Sequence, residues 1–324
     1  MDIFKKHKQA LYLLGAYMFI TVLFGGIVIL KQGVPNRLSS EVIAYANSVD
    51  DINPRRNKCH QPNRKTLNKN GPCKTNGSVN VAPTFISFGD SFSTTIDPLL
   101  EHLSQKHNIS GLQSSYSSCP PLLGISRKKH IKGSSSYDCA AFNQYMFDYI
   151  KAHHIKNVVL FARWSAYMHE YPVEVRANKK KNFKKAFKEQ LNYSLNKLDK
   201  NNVTVWIVEQ PPEQRFDIPS SLAKAERYQK NIKTLQTSYS QHKDRQKEIN
   251  SIFDDIKQDR RNFPNVRFIT LSPSLCSDKQ TCLISHEGKS LYRDQYHLSQ
   301  YGVDFVSPLF DDMFKQMTLQ KTKE

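Results

Sequence analysis

Acidic residues are scarce in this sequence: 29 Asp and Glu stand against 47 Lys and Arg in 324 residues, a net charge of +18. The excess is not confined to an end. Residues 1–38 hold five Lys/Arg and one acid, so +14 of the +18 lies beyond them. Such a surface favours anionic company. No zinc-finger, RNP or other nucleic-acid signature accompanies it, so nucleic acid is not expected, and an anionic membrane or an acidic polysaccharide accounts for the charge. There is also no C-x2-C or H-x3-H spacing, which removes the usual zinc arrangements, and no metal or other cofactor is expected. No internal repeat divides the chain, and its length suffices for one large domain with an extension.

Long apolar runs are missing too, with one exception. Ala10 to Leu30, ALYLLGAYMFITVLFGGIVIL, is uncharged over 21 residues, where roughly 20 are needed to cross a bilayer as a helix. A cleavable signal peptide is the rival, but its apolar core usually runs only about 7 to 15 residues. The A-x-A-like site Ala44-Tyr45-Ala46 also comes late. Residues 1–34 are therefore expected to be a cytoplasmic stub and a transmembrane helix. Lys5, Lys6 and Lys8 before the span and Lys31 and Arg37 after it tip the orientation only slightly towards a cytoplasmic N-terminus.

Cysteine usage bears on the compartment. The six cysteines fall as near neighbours, Cys59 with Cys73, Cys119 with Cys139 and Cys276 with Cys282. An even, locally grouped set fits disulfides formed in an oxidising space, with 15 connectivities formally open and buried free thiols as the alternative. Cys59 and Cys73 sit in a polar Asn/Lys/Pro-rich stretch with little core to hide a thiol. The bulk of the chain is expected outside the inner membrane.

Residues 35–83 read as a linker with a disulfide-closed loop and one short helix near Ser39 to Ser48. Beyond them, β-rich apolar runs alternate with helical stretches. Strands are expected at Thr84 to Phe88, Leu112 to Tyr116, Asn157 to Ala162, Val203 to Glu209 and Val266 to Leu271. Helices are expected at Thr94 to His107, Cys139 to His154, Asn182 to Lys200, Leu222 to Asp259 and Ser299 to Met317. The alternation predicts an α/β domain over 84–318, a parallel sheet with helices on both faces. The lysine run Lys179 to Lys188 reads as a solvated helix face docking through Phe183 and Phe187. His153 and His154 read as ordinary helix C-terminal histidines.

Chemistry concentrates in two stretches. In TFISFGDSFSTTIDPLL, Thr84 to Leu100, Ser91 follows the first strand, where an open α/β sheet gathers its ligands. Gly89 permits a sharp turn, although Asp90 or Ser91 serving only as a helix cap is the plain alternative. In LYRDQYHLSQYG, Leu291 to Gly302, Asp294 and His297 are spaced so that a carboxylate can orient an imidazole. An oriented imidazole is the base a serine hydroxyl needs in order to attack.

These residues resemble the SGNH, or GDSL-like, hydrolases, through Phe88-Gly89-Asp90-Ser91 and Asp294-Gln295-Tyr296-His297 followed by Leu298-Ser299 and Gly302. A narrower resemblance, to the SGNH domain fused to membrane acyltransferase-3 proteins, rests on three stretches: Ser118-Cys119-Pro120-Pro121-Leu122, Val158 to Trp164, and Cys276, Cys282 with Leu291-Tyr292-Arg293-Asp294. The resemblance implies a flavodoxin-like three-layer α/β/α sandwich and a Ser91–His297–Asp294 triad. It also implies O-acetylation chemistry on bacterial cell-surface polysaccharide such as lipopolysaccharide O-antigen. It further implies disulfides linking Cys119 to Cys139 and Cys276 to Cys282. Gly25 to Leu38 looks like the end of the last membrane helix and the linker in those fusions. On that reading the chain is a single-pass periplasmic half whose acyl donor comes from a separate multi-span acyltransferase-3 partner, or it is an esterase. Its expected substrate is envelope polysaccharide or a lipid-linked precursor.

The family's oxyanion hole usually combines the serine amide, a glycine and an asparagine. Here the asparagine position reads Phe161-Ala162-Arg163-Trp164. Gly124 is the candidate glycine, and Arg163 and Trp164 are oxyanion or substrate candidates; Phe92 replaces a histidine frequent in the fused subfamily. The alternative function is a catalytically impaired SGNH domain that binds glycan as an accessory to an acyltransferase system.

Overall fold

The computed structural model of the chain describes residues 2–31, 33, 37–75, 81–127, 139–170, 173–175 and 183–321. Helix α1 (Asp2–Leu30) precedes α2 (Ser40–Asn47), α3 (Arg56–Cys59) and α4 (Arg64–Asn70). The chain continues through β1 (Cys73–Lys74), β2 (Pro83–Gly89), α5 (Ser93–Lys106), β3 (Ser110–Ser115), β4 (Ile125–Arg127), α6 (Cys139–Ala152), β5 (Asn157–Phe161), α7 (Ala166–His169), β6 (Val173–Val175) and α8 (Phe183–Asp199). It ends with β7 (Thr204–Val208), α9 (Ile218–Arg227), α10 (Tyr239–Gln258), β8 (Val266–Ile269), α11 (Ser272–Leu275), β9 (Ser285–His286), β10 (Lys289–Ser290), α12 (Gln300–Val306) and α13 (Asp311–Lys321). Within α1, His7–Leu30 is long and apolar enough to cross a membrane by length and composition, and none of it is buried.

The six-stranded central sheet runs β1-β3-β2-β5-β7-β8. Its last five strands are parallel, and β1 joins the edge antiparallel to β3. Side chains alternate across each strand, so a strand buried on both faces feeds two cores. On β2, Ile86 and Phe88 enter one core and Phe85 the other; β5 separates Val158 and Leu160 from Val159 and Phe161 in the same way. Helices α6, α8 and α10 close the first core through Phe142, Leu191 and Phe253, while α5, α9 and α13 close the second through Leu100, Leu222 and Phe314. The result is the expected three-layer α/β/α sandwich. Counted among the parallel strands alone, the winding is the flavodoxin-like 2-1-3-4-5 order, with its switch point between β2 and β5. A ligand crevice belongs at the carboxyl ends of those two strands.

Two expected helices are broken. The stretch expected as one helix from Leu222 to Asp259 stops at Arg227 and restarts at Tyr239. The restart is fixed by a capping box: the Ser238 hydroxyl accepts from the Gln241 amide, and the Gln241 side chain accepts from the Ser238 amide. The expected helix from Ser299 to Met317 is interrupted by a 3-10 turn, Ser307–Phe310, because Pro308 has no N–H for the ladder. Of the lysine run, residues 179–182 lie outside the described residues. Beyond them Phe187 docks while Lys184 and Lys185 stay exposed, as expected. His153 and His154 are exposed just past α6, His153 stacking on Tyr149.

The largest departure concerns the stretch expected as a linker. Residues 37–75 are packed against the domain: Tyr45 enters the second core, β1 extends the sheet, and Arg55 pairs with Glu101 on α5 at 2.9 Å. The Asn53 side chain donates to the Thr94 carbonyl at 2.9 Å and to its hydroxyl at 3.1 Å, both buried. Buried polar bonds hold this segment rather than a continuous apolar stripe, and hydropathy does not register them. All six cysteines are paired, Cys59–Cys73 tying α3 to β1, Cys119–Cys139, and Cys276–Cys282.

Peptide mapping without reduction should recover those three linked pairs; a free thiol at any of the six would contradict the arrangement. At Gly89 a Cβ would overlap the Phe161 carbonyl oxygen on β5. Gly89→Ala is therefore expected to destabilise the protein by about 3 kcal/mol through overpacking, read as a lowered urea midpoint. An unchanged midpoint would count against this close approach of β2 and β5.

Candidate active site

Strand β2 ends at Gly89, and the turn after it is organised by Asp90. The Asp90 carboxylate is buried and accepts three bonds, from the Phe92 amide at 2.8 Å, the Arg163 amide at 2.9 Å and the Tyr167 hydroxyl at 2.6 Å. Burial pushes its pKa up, while Tyr167 and the two amides pull the other way. Asp90 thus joins the turn after β2 to the loop after β5, and neither Asp90 nor Ser91 caps α5 with its side chain.

Ser91 Oγ lies 2.8 Å from His297 Nε2, and His297 Nδ1 lies 2.7 Å from Asp294 Oδ2. The other oxygen of Asp294 accepts from the amides of Tyr296 and His297, both at 2.7 Å. Burial alone would raise the pKa of Asp294, but the bond and charge of His297 and those two amides outweigh it and hold the carboxyl down at about 2. An ionised Asp294 fixes the proton on Nδ1 and leaves the Nε2 lone pair facing the Ser91 hydroxyl. The Phe92 ring packs on the His297 ring at 4.6 Å between centroids and limits its rotation.

The remaining candidates are placed differently. The Arg163 guanidinium is buried between two carboxylates. Its Nε and Nη2 donate to Glu213, each at 2.9 Å, and its Nη1 and Nη2 donate to Glu170 at 2.8 and 3.1 Å. Arg245 contacts the same two acids. Glu213 also accepts from the Ser165 hydroxyl at 2.8 Å and from the Gln210 side-chain Nε2 at 2.9 Å. The Arg163 guanidinium further stacks over the Tyr296 ring at 3.6 Å. With its amide on Asp90 and its fork on two acids, Arg163 belongs to the scaffold, not to an oxyanion. Trp164 is fully buried, and its indole donates to the Val208 carbonyl at 2.9 Å, so it is core rather than substrate contact. Gly124 has φ +69° and lies against Gln190 of α8. The amides of Phe92 and Ser93 bond to Asp90, whereas among the described residues no partner meets the amide of Ser91.

The sequence described as the SGNH domain fused to AT3 domains matches residues 58–312 of the chain. The chain is a member of that SGNH family. Its fold is also similar to the periplasmic domain of the lipopolysaccharide acetyltransferase of Salmonella ser. Paratyphi A, at 15% identity and a TM-score of 0.58, over 85% of this chain and 97% of that one. An acetyl xylan esterase, AlAXEase, aligns at 16% identity and a TM-score of 0.38 over 71% of this chain and 98% of its own. A putative G-D-S-L family lipolytic protein from Desulfitobacterium hafniense DCB-2 aligns at 12% and 0.35, over 70% and 99%. No curated protein matches the sequence.

The structure brings to this SGNH site residues that carry no motif. His60, from the packed extension, bonds through its two ring nitrogens to the hydroxyls of Ser115 and Ser117, both at 2.8 Å. Its sequence neighbour Cys59 was the one available signal, since a disulfide fixes that backbone. Tyr296 lies inside the D-Q-Y-H block, but its stacking partner is 133 positions away, beyond the reach of any local pattern.

Glu213 gives a pH test of the scaffold. Burial opposes its charge, yet the bond and charge of Arg163, with Arg245 and Ser165, lower its pKa from 4.5 to about 2. A depressed folded pKa stabilises the protein above the unfolded value, by about 3 kcal/mol here. That contribution should vanish as pH falls from 4.5 towards 2. The urea stability gap between the parent and Glu213→Gln is expected to shrink over that window; a constant gap would contradict the ion cluster.

Proposed function

We propose that the protein is a membrane-anchored serine O-acyl esterase or O-acyltransferase acting on acyl, chiefly acetyl, groups of envelope polysaccharide. The observation that carries this reading is the unbroken contact chain from Ser91 Oγ through His297 to Asp294, at 2.8 and 2.7 Å. In the proposed cycle the Ser91 oxygen attacks the acyl carbonyl carbon while His297 Nε2 takes the hydroxyl proton. The tetrahedral intermediate collapses as the ester oxygen leaves with that proton, and the acyl group remains on Ser91. Water, or a sugar hydroxyl, then gives its proton to His297 and attacks the acyl-enzyme, freeing Ser91. The Ser91 amide, at the start of α5, is the proposed oxyanion donor, where the helix N-terminus favours negative charge.

The family description and the fold shared with a lipopolysaccharide acetyltransferase domain support acetyl as the group and envelope glycan, or its lipid-linked precursor, as the substrate. The apolar helix α1 supports a single-pass anchor in the inner membrane. Three disulfides support a periplasmic domain. An acyltransferase-3 protein is the proposed source of the acyl group where transfer is the outcome.

With detergent-solubilised full-length protein and 4-nitrophenyl acetate, Ser91→Ala and His297→Ala are each expected to lower turnover on the order of 10^4-fold or more at unchanged melting temperature. Equal turnover in parent and Ser91→Ala would overturn the mechanism. Product analysis with a glycan acceptor present then separates the two fates, an acetylated glycan marking transfer and free acetate marking hydrolysis.

A further inference from the structure

The rim of the site carries positive charge that the triad does not use. Strand β3 pairs with β2 so that Ser115 lies beside Gly89, two residues before Ser91. His60 bridges to Ser115 in backbone register, and the next amide, Gln61, donates to the Ser115 carbonyl at 2.7 Å. The extension is therefore held at the carboxyl end of β3, against the crevice. Arg293 belongs to the turn that carries Asp294 and His297: its Nη2 lies 3.9 Å from Asp294 Oδ2 and its amide donates to the His297 carbonyl at 3.1 Å.

Arg56 lies one turn before His60, whose amide donates to the Arg56 carbonyl at 2.9 Å. The Arg56 Nε is buried, with no hydrogen-bond partner among the described residues. Its neighbour Arg55 is satisfied by Glu101 and the Lys74 carbonyl. Burial first, and then the neighbouring Arg56, His297 and Arg293, lower the pKa of His60 to about 4, so His60 is neutral at pH 7. The same neighbourhood acts on Arg293: burial lowers its pKa, Asp294 raises it, and Arg56 lowers it again. The one carboxylate in that set, Asp294, is already engaged by His297. Arg293 thus shares the Asp294 carboxylate with His297, while Arg56 Nε has no hydrogen-bond partner and its side chain no ion pair among the described residues. Arginine's planar fork in such a place matches a carboxylate or a phosphate.

The geometry points to an anion subsite beside Ser91, built by Arg56 of the extension and Arg293 of the triad turn, that receives a carboxylate or phosphate carried by the acylated glycan. It rests on the reading of Ser91 as the nucleophile and adds to it a class of substrate, acidic or phosphorylated sugars. The anion would lie across the joint between extension and domain, so both are needed to form the subsite.

Binding of D-galacturonate, inorganic phosphate and uncharged D-galactose to full-length protein in detergent, followed by ligand-observed NMR, tests this. Galacturonate or phosphate should bind and galactose should not, and the stronger of the two anions names the source. Arg56→Gln and Arg293→Gln should each weaken anion binding about tenfold, the loss expected for one charge-assisted hydrogen bond. Arg56→Lys, which keeps charge but not the fork, should fall between. Lys197→Gln, an exposed change near the end of α8, which leads into β7, should bind as the parent does. Equal binding of galactose and galacturonate, or full anion binding in both Gln variants at parental melting temperature, would overturn the subsite. The same titration on Ser91→Ala separates the two readings. Anion binding that needs Arg56 in a protein without esterase or transferase activity leaves the subsite standing and the catalytic reading fallen; turnover without anion binding does the reverse.

Discussion

The buried carboxylate of Asp90 is the interaction on which the site depends. It accepts from the turn after β2 and from the loop after β5, the two strand ends that flank the switch point of the sheet. A carboxylate withdrawn from water is costly unless its oxygens are satisfied, and here three donors satisfy them. The same bonds that make its burial tolerable define where the Ser91 backbone sits. From the turn that Asp90 holds, the Ser91 hydroxyl faces His297.

A second constraint reaches the turn that carries Asp294 and His297. Ser91 and His297 are 206 positions apart, and Arg163 touches the support of both. Its amide holds Asp90, while its guanidinium lies under Tyr296, the residue between the triad aspartate's turn and the histidine. Glu170, Glu213 and Arg245 keep that guanidinium in place in a mutually satisfied ion cluster, buried at Arg163 and Glu213 and open to solvent at Glu170 and Arg245. Such clusters contribute modestly to net stability but strongly resist rearrangement, since removing one member strands the others. The position where a resemblance leads one to expect an oxyanion donor is occupied instead by a residue that bonds to Asp90 and stacks on Tyr296.

Much of this was legible in the sequence. The apolar runs at Phe85, Val158 and Val205 announce fully buried parallel strands, and the helices between them follow from their periodicity. Ser91, Asp294 and His297 were legible because each sits in a short block whose spacing has a chemical reason. The breaks at Ser238 and Pro308 were visible only as capping and proline chemistry inside otherwise continuous patterns. What was not legible depends on bonds between distant polar residues. Asn53 reaching Thr94, His60 reaching Ser115 and Arg163 reaching Glu213 leave no mark in hydropathy or local spacing. For that reason the extension read as a linker and Arg163 as a site residue.

The packing of the extension has a consequence for reach. Only nine residues, Lys31 to Ser39, separate α1 from α2, and a chain of that length spans at most about 30 Å when fully extended. With α1 in a bilayer, as proposed, the domain is a short-leashed body rather than one at the end of a long flexible arm. On that proposal the crevice would stay within reach of a glycan still attached to the membrane, and the distal end of a long polymer would lie beyond it. The leash would then act as a ruler, selecting when during polysaccharide assembly an acyl group is added or removed.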